Sequence, residues 1–230
     1  MSNPSSSLTI SLIIPALNEA DCLPALLAEA PHALLHEIIV VDNGSTDETA
    51  AVARLAGAQV VSEPQRGYGA ACAAGVAAAT GDIVVFMDGD GSFVPQELTR
   101  LVAPLVAGQA DFVLGSRMRG GMVAGAMPPH QRFGNHLVAW LVRRFYDVPL
   151  TDLGPFRAIR RDLLTALQMQ ERTYGWPIEM MVKAAKQHAR LLEVPVSYRP
   201  RFAGQSKVGG TVRGTLLATY KILRVTFRYV

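Results

Sequence analysis

The feature that most constrains this chain is a regular alternation of short apolar runs with helix-forming segments through its first half. The apolar runs predict buried strands, and the segments between them predict helices. Such alternation is typical of an α/β fold with a mostly parallel central sheet and helices on both faces. The strand candidates are residues 8–14, 37–41, 59–61, 83–87 and 112–114, and the helix candidates are 21–30, 47–56, 69–79 and 95–105.

Length and cysteine use favour one cytoplasmic domain. A chain of 230 residues can bury a sizeable core. Cys22 and Cys72 lie in helical contexts rich in alanine and leucine, which favours buried free thiols in a reducing compartment over a disulfide. The polar, uncharged first seven residues lack the pattern of a signal peptide, and no apolar stretch is long enough to span a bilayer.

Charge is distributed unevenly along the chain. Residues 199–230 carry seven Lys or Arg and no Asp or Glu, which leaves 15 basic and 19 acidic residues elsewhere. A basic end on a mildly acidic body suggests an anionic partner, either phosphate groups or a membrane surface. No base-reading motif or aromatic series accompanies the charge, so we expect no nucleic-acid partner.

Two carboxylates follow a buried strand directly. Asp88 and Asp90 flank Gly89 just after the apolar residues 83–87. Carboxylates held this close repel each other unless a proton or cation lies between them, and oxygen-only ligands favour hard cations. The pair therefore predicts a site for Mg²⁺ or Mn²⁺.

Further acidic side chains follow other predicted strands. Ligands of open α/β sheets bind outside the carboxyl ends of the strands. Glu19 and Asp42 would share that edge with Asp88 and Asp90. The alternative is that Asp42 and Asp88 only cap turns.

An ordered set of short motifs extends this pattern from about residue 8 to residue 207. The motifs are residues 15–19 (PALNE), 40–47 (VVDNGSTD), 66–69 (RGYG), 88–90 (DGD), 115–117 (GSR), 151–157 (TDLGPFR), 175–179 (GWPIE) and 201–207 (RFAGQSK). The set resembles the family 2 glycosyltransferases of GT-A fold. Its later motifs are similar to the branch that includes dolichyl-phosphate mannosyltransferase and bacterial polyprenyl-phosphate glycosyltransferases.

The resemblance implies roles for individual residues. Asp88 and Asp90 would bind the metal that bridges the donor diphosphate, and Asp90, Asp152 and Arg117 would be the catalytic residues. Arginines at 117 and 201 would contact phosphates. Arg132 and Glu179 are further candidates for the acceptor phosphate. The residues implied to hold the nucleotide-sugar are Pro15, Leu17, Glu19, Val40, Asp42, Asp88, Gly89, Arg201 and Lys207.

The acceptor decides whether the reaction needs a general base. A hydroxyl acceptor would need one, and Asp152 or Glu179 would be the candidates. A phosphate monoester, with a second pKa of about 6, is already largely dianionic at neutral pH. On that reading, Asp152 orients the acceptor or the sugar.

The end of the chain has the pattern of an amphipathic helix. On a helical wheel Arg213, Lys221, Arg224 and Arg228 gather on one face. Such a helix suits a membrane interface, or it packs on its own domain or on a second subunit. The other face would carry Val212, Leu216, Tyr220, Leu223, Phe227 and Val230.

The resemblance and the charge pattern together define the expected protein. We expect a glycosyltransferase domain over residues 1–210 and a basic amphipathic helix over 211–230. The expected reaction is inverting transfer of a hexose from a UDP- or GDP-sugar to a polyprenyl phosphate at the cytoplasmic membrane face, with homo-oligomerisation left open. The alternatives are a hydroxyl acceptor on a glycan or small molecule, or a non-catalytic nucleotide-sugar-binding module. A Rossmann oxidoreductase is disfavoured because the spacing of Gly67, Gly69 and Gly75 does not match its dinucleotide-binding motif.

Overall fold

The computed structural model describes residues 8–204 and 224–228. Residues 8–204 form an α/β fold around a seven-stranded sheet with strand order β3-β2-β1-β4-β6-β5-β7. The strands are β1 (Ile10–Ala16), β2 (Glu37–Asp42), β3 (Gln59–Ser62), β4 (Ile83–Phe86), β5 (Phe112–Ser116), β6 (Arg157–Arg160) and β7 (Leu191–Pro195).

Helices connect most of these strands. Two short 3-10 helices, His32–Leu34 and Pro95–Glu97, accompany them. The α-helices are α1 (Leu23–Ala28), α2 (Thr49–Leu55), α3 (Tyr68–Ala78), α4 (Leu98–Val106), α5 (Pro129–Tyr146), α6 (Arg161–Ala166) and α7 (Trp176–Lys186).

Alternate side chains of the sheet enter two separate cores. In β1, Ile13 packs with residues of α3, α5, α6 and α7 on one face. Its neighbours Leu12 and Ile14 pack with α1, α2 and α4 on the other. Because successive strand residues point to opposite faces, both faces are apolar and both are covered by helices. The predicted fold class is confirmed.

One strand runs against the others. Strand β6 pairs antiparallel with both β4 and β5, whereas the remaining pairs are parallel. The beginning of β6 therefore lies at the same sheet edge as the carboxyl ends of its neighbours. This brings the 151–157 motif to the edge where ligands of α/β sheets bind.

The sequence pattern anticipated the first five strands and missed later elements. Strand β1 is shifted two residues from the predicted span, and the other four predicted strands begin where expected. Strands β6 and β7 and helix α6 were not predicted, because short mixed runs such as 157–160 carry little periodicity. Cys22 and Cys72 are buried and free, as expected. Among the described helices, none is both long and apolar enough to cross a membrane.

The C-terminal prediction is covered only in part. Residues 205–223, and with them Lys207 and the boundary at 210, lie outside the described residues. Residues 224–228 are helical and pack on the domain. Val225 is buried, and the Tyr146 hydroxyl donates a hydrogen bond to the Thr226 carbonyl (2.6 Å). For these five residues, packing on the chain's own core is the arrangement observed.

An ion pair holds together the starts of β5 and β7. The Arg190 guanidinium donates from Nε and Nη2 to the two oxygens of Asp111 (2.9 and 2.6 Å). The hydrogen bonds from Arg190 lower the pKa of Asp111 to about 2.

This ion pair predicts a pH-dependent contribution to stability. The folded-state pKa of Asp111 lies below the usual value of about 3.9, so the stabilisation is present above pH 4 and is lost as pH falls toward 2. Asp111→Asn should therefore lower the melting temperature at pH 7 but not at pH 2. Asp21→Asn, at an exposed position, is the control. Equal melting temperatures for Asp111→Asn and the unmodified protein at pH 7 would contradict the prediction.

Candidate active site at the carboxyl edge of the sheet

The carboxylate pair lies directly beyond β4, in the place predicted for it. Asp88 and Asp90 are half-buried, and Gly89 between them is buried against Ile14. The Asp90 Oδ1 accepts a hydrogen bond from the Ser92 backbone N–H (3.0 Å). Within the described residues the Asp88 carboxylate accepts no hydrogen bond, so its oxygens are available to a ligand.

The electrostatics of the pair fit a cation. Burial, and then the charge of Asp90, raises the pKa of Asp88 to about 7. No group of three or more His, Cys, Asp or Glu side chains suited to a metal occurs in the described part of the chain. Mg²⁺ and Mn²⁺ are commonly held by one or two carboxylates, with substrate phosphates and water completing the shell. Asp88 and Asp90 match that donor set.

Two residues predicted to bind the donor separately are paired with each other. The Arg201 Nη2 donates to both oxygens of Glu19 (2.8 and 2.9 Å), and its Nε donates to the Ala203 carbonyl (2.6 Å). Glu19 follows β1 and Arg201 follows β7, so the pair joins the two sides of the crevice. Arg201 also lies close enough to Asp90 for the charge of that carboxylate to help raise the pKa of Arg201.

The nucleotide candidates on β1 and β2 divide into accessible and buried groups. Pro15, Leu17 and Asp42 are half-buried at the strand ends. The Asp42 Oδ1 accepts a hydrogen bond from the Ser45 backbone N–H (2.9 Å), so this side chain also caps a turn. Val40 is fully buried in the core on the same sheet face as Leu12 and Ile14, and its role in holding the nucleotide stays a prediction.

The strongest polar contact of the site joins Arg117 and Asp152. Arg117 donates to the two oxygens of Asp152 from Nε (2.8 Å) and Nη2 (2.7 Å), and its backbone N–H donates to the same carboxylate (2.7 Å). The side chain of Asp152 is fully buried, and that of Arg117 is 13% exposed. Burial lowers the pKa of Arg117, but the Asp152 charge more than offsets this and the net pKa is raised.

A third residue, missed in the sequence, fixes this pair. Glu193 on β7 is buried and accepts hydrogen bonds from the backbone N–H groups of Thr151 and Asp152 (both 2.9 Å). It also accepts one from the Thr151 hydroxyl (2.8 Å). Glu193 thus holds the loop that presents Asp152 to Arg117. Its only sequence signal is a carboxylate within a short apolar run.

A second missed residue, Arg157, lies beneath the site. This arginine is almost fully buried at the start of β6 and donates to the carbonyl oxygens of Pro177, Leu153 and Gly154. Burial lowers its pKa, while nearby Asp88 and Asp152 act in the opposite direction. Arg157 therefore supplies positive charge under the two carboxylates and anchors the 151–157 motif.

Glu179, a predicted contact of the acceptor phosphate, is held by neighbouring groups of the protein. Its carboxylate is fully buried and accepts hydrogen bonds from the backbone N–H groups of Gln170 and Glu171. It also pairs with Lys183 at 2.8 Å. These contacts give Glu179 the task of holding the 168–171 loop against α7.

A cavity of about 310 Å³ opens beside the Arg117–Asp152 pair. Arg117 and Arg132 are its two cationic lining residues. The rest of the lining is mostly apolar or glycine: Met118, Gly120, Met122, Val123, Ala124, Gly125 and Met127. Such a lining offers cationic groups that suit a phosphate and apolar groups that suit hydrocarbon.

Comparison with known proteins identifies the family of the chain. The family model described as glycosyl transferase family 2 matches residues 11–167. An uncharacterized glycosyltransferase of Mycobacterium tuberculosis is 43% identical over 217 residues, covering 94% of this chain and 97% of that protein. Undecaprenyl-phosphate mannosyltransferase of Micrococcus luteus is 31% identical and covers 88% of each chain. Dolichyl-phosphate hexose transferase of Haloferax volcanii is 32% identical and covers 86% of each.

Solved structures give the same fold. Glucosyl-3-phosphoglycerate synthase from Mycobacterium tuberculosis, in complex with Mn²⁺, UDP-glucose and phosphoglyceric acid, aligns with a TM-score of 0.79 at 25% identity. The alignment covers 97% of this chain and 80% of that one. The GT-A fold and a divalent metal in the neighbouring enzymes agree with the sequence-based expectations.

The buried ion pair predicts a large stability effect. Asp152→Asn keeps the side-chain shape but leaves Arg117 without its counter-charge, so we expect a loss of about 3 kcal/mol in the free energy of unfolding. Denaturant unfolding measures the change. Asp147→Asn is the matched control, because Asp147 is exposed and its left-handed backbone (φ 53°) suits asparagine. Similar small losses in both variants would show that the pair is not stabilising.

Proposed function

The chain belongs to glycosyltransferase family 2, and we propose that it transfers a hexose from a UDP- or GDP-sugar to the phosphate of a polyprenyl phosphate, with inversion at the anomeric carbon. The family assignment rests on the matched model over residues 11–167. The acceptor is supported by the cavity beside Arg117 and by the relatives named for polyprenyl-phosphate acceptors.

The donor diphosphate would lie at the carboxyl edge, between the Asp88–Asp90 pair and Arg201. In this arrangement Asp88 and Asp90 hold Mg²⁺ or Mn²⁺. When bound, the metal neutralises the negative charge that develops on the departing nucleoside diphosphate. The nucleotide would lie beside the ends of β1 and β2, in contact with Pro15, Leu17, Glu19 and Asp42. Lys207 remains a proposed donor contact.

The state of the two base candidates is the observation that carries the acceptor assignment. Asp152 is fully buried and pairs with Arg117, and Glu179 is fully buried and pairs with Lys183. Neither carboxylate is placed to remove a proton from an acceptor hydroxyl. A phosphate monoester needs no such base, because it is already largely dianionic at neutral pH. The buried pairs therefore favour a phosphate acceptor, with Asp152 acting through its hold on Arg117.

The cavity has the chemistry that a polyprenyl phosphate requires. Two of the five N–H donors of Arg117 go from its side chain to Asp152, and the same guanidinium lines the cavity with Arg132. Guanidinium groups suit phosphate recognition. Met118, Met122 and Met127 give an adaptable apolar wall for isoprenoid carbon.

Two other functions are alternatives to the proposed transfer to a polyprenyl phosphate. Glucosyl-3-phosphoglycerate synthase was solved with phosphoglyceric acid, which is not a prenyl acceptor, so a small acceptor is the second candidate. A nucleotide-sugar-binding module without transfer is the third.

We propose that the protein acts at the inner face of the membrane and contacts the membrane partly through residues 211–230. We propose no nucleic-acid partner. Homo-oligomer formation is left to measurement.

Label transfer into lipid tests the proposal directly. The protein is incubated with Mg²⁺ or Mn²⁺, radiolabelled UDP- and GDP-sugars, and undecaprenyl or dolichyl phosphate, and label is counted in the organic phase. We expect metal-dependent lipid label with one donor and its loss in Asp90→Ala. Asp21→Asn, exposed and outside the site, should retain the rate. Donor binding without lipid label would favour a small acceptor or the binding module.

The role of Asp152 predicts a kinetic effect separate from folding. Asp152→Asn should lower turnover roughly 100-fold, because Arg117 loses the carboxylate that fixes its guanidinium. Rates are measured well below the variant's melting temperature, with folding checked by circular dichroism. A near-normal rate in folded Asp152→Asn would remove this residue from the catalytic arrangement.

A further inference from the structure

Helix α5 carries an exposed apolar stripe next to the cavity. Phe133, Leu137 and Trp140 are 72%, 37% and 53% exposed, although residues of this size are usually buried. Their spacing of four and then three residues puts them on one side of the helix. The opposite side is anchored in the core through Val138 and Val142. The apolar stripe therefore projects outward from a fixed helix.

Cationic side chains flank this stripe. Arg132, Arg143 and Arg144 are exposed on the same helix, and none of them forms a salt bridge with a carboxylate of the described residues. Residues 112–146 contain five arginines and no Asp or Glu. The two that are not on α5, Arg117 and Arg119, are bound by Asp152 and Glu193. The α5 arginines lack such neutralising partners in the described part of the chain.

We propose that the α5 face, defined as Phe133, Leu137 and Trp140 with Arg132, Arg143 and Arg144, docks on an anionic lipid surface. Apolar side chains of this kind enter the boundary between headgroups and acyl chains, and arginines beside them attract anionic headgroups. A second copy of the chain fits this face less well. A symmetric contact would place α5 against α5, and this helix offers no carboxylate to meet the three arginines.

The position of the face gives docking a consequence for the reaction. Arg132 belongs both to the α5 face and to the cavity lining, and exposed Val123 on the cavity wall continues the apolar surface. At the other end of α5, Phe145 stacks edge-on with Phe227 of the basic C-terminal segment at 5.8 Å. Docking would thus put the cavity at headgroup depth, where the phosphate of a polyprenyl phosphate lies. This consequence rests on the proposed acceptor, whereas the lipid contact itself does not.

Vesicle binding by the full-length protein tests the lipid contact without any acceptor. Sucrose-loaded vesicles of phosphatidylcholine, with and without phosphatidylglycerol, are sedimented and the bound protein is measured. We expect binding that requires phosphatidylglycerol and falls about tenfold or more in Leu137→Glu, because a charge replaces an inserted apolar group. Leu55→Glu is the matched control, since Leu55 on α2 is 88% exposed and away from this face. Equal binding by Leu137→Glu and Leu55→Glu would overturn the proposal.

Tryptophan fluorescence locates the contact on α5. Trp140 is exposed whereas Trp176 is 3% exposed, so a vesicle-induced blue shift should come from Trp140 and vanish in Trp140→Phe. Blue-shifted emission that persists in Trp140→Phe would place the contact elsewhere. If light scattering shows a dimer that Leu137→Glu dissociates, and no vesicle binding is seen, the face is a subunit interface and the proposal is wrong.

Transfer assays separate this proposal from the acceptor assignment. With polyprenyl phosphate dissolved in detergent, Leu137→Glu should transfer label at the unmodified rate; with acceptor embedded in vesicles, it should be slower by about the same factor as its binding. Vesicle binding without lipid label in either assay would leave the docking face standing and reject the polyprenyl acceptor. Equal rates for Leu137→Glu and the unmodified protein on embedded acceptor would reject the link between docking and transfer.

Discussion

The bidentate pair between Arg117 and Asp152 is the interaction on which the acceptor side of this site depends. It joins the end of β5 to the loop before β6, and Glu193 on β7 fixes that loop through backbone hydrogen bonds. A buried carboxylate is stable in its charged form only with such a partner. Charge compensation thereby fixes the arginine that lines the cavity, so one contact serves both folding and the proposed chemistry.

The antiparallel strand makes this arrangement possible. In a sheet with only parallel strands, the residue that opens β6 would lie at the edge opposite the carboxylates. Reversal brings Arg157 and the 151–157 motif beside Asp88, so cations and carboxylates from separate parts of the chain meet at one edge. The electrostatic balance of the site is therefore a consequence of strand direction as much as of residue type.

This also explains which parts of the site were predictable from the sequence. Predicting Asp88 and Asp90 as site residues required only the position of a strand end, because carboxylates that follow a buried strand are expected at the edge of the sheet. Pairings are different: Glu19 and Arg201 are separated by 182 positions, and sequence gives their charges without giving their partners. Val40 and Glu179 are both fully buried, and the sequence motifs that contain them do not reveal that burial. Strand β6 and Glu193 were missed because four or five residues show too little periodicity.

The arginines of residues 112–146 divide into two groups that sequence cannot separate. Arg117 and Arg119 form ion pairs with the buried carboxylates of Asp152 and Glu193, although the Arg119 side chain itself is 52% exposed. Arg132, Arg143 and Arg144 project from α5 beside exposed Phe133 and Trp140. A merely solvated helix face would have no reason to combine large apolar side chains with cations, because their exposure costs free energy. An anionic lipid surface accommodates the apolar side chains in its hydrocarbon boundary and the arginines at its headgroups. A lipid interface therefore explains the composition of the exposed α5 face better than exposure to water does.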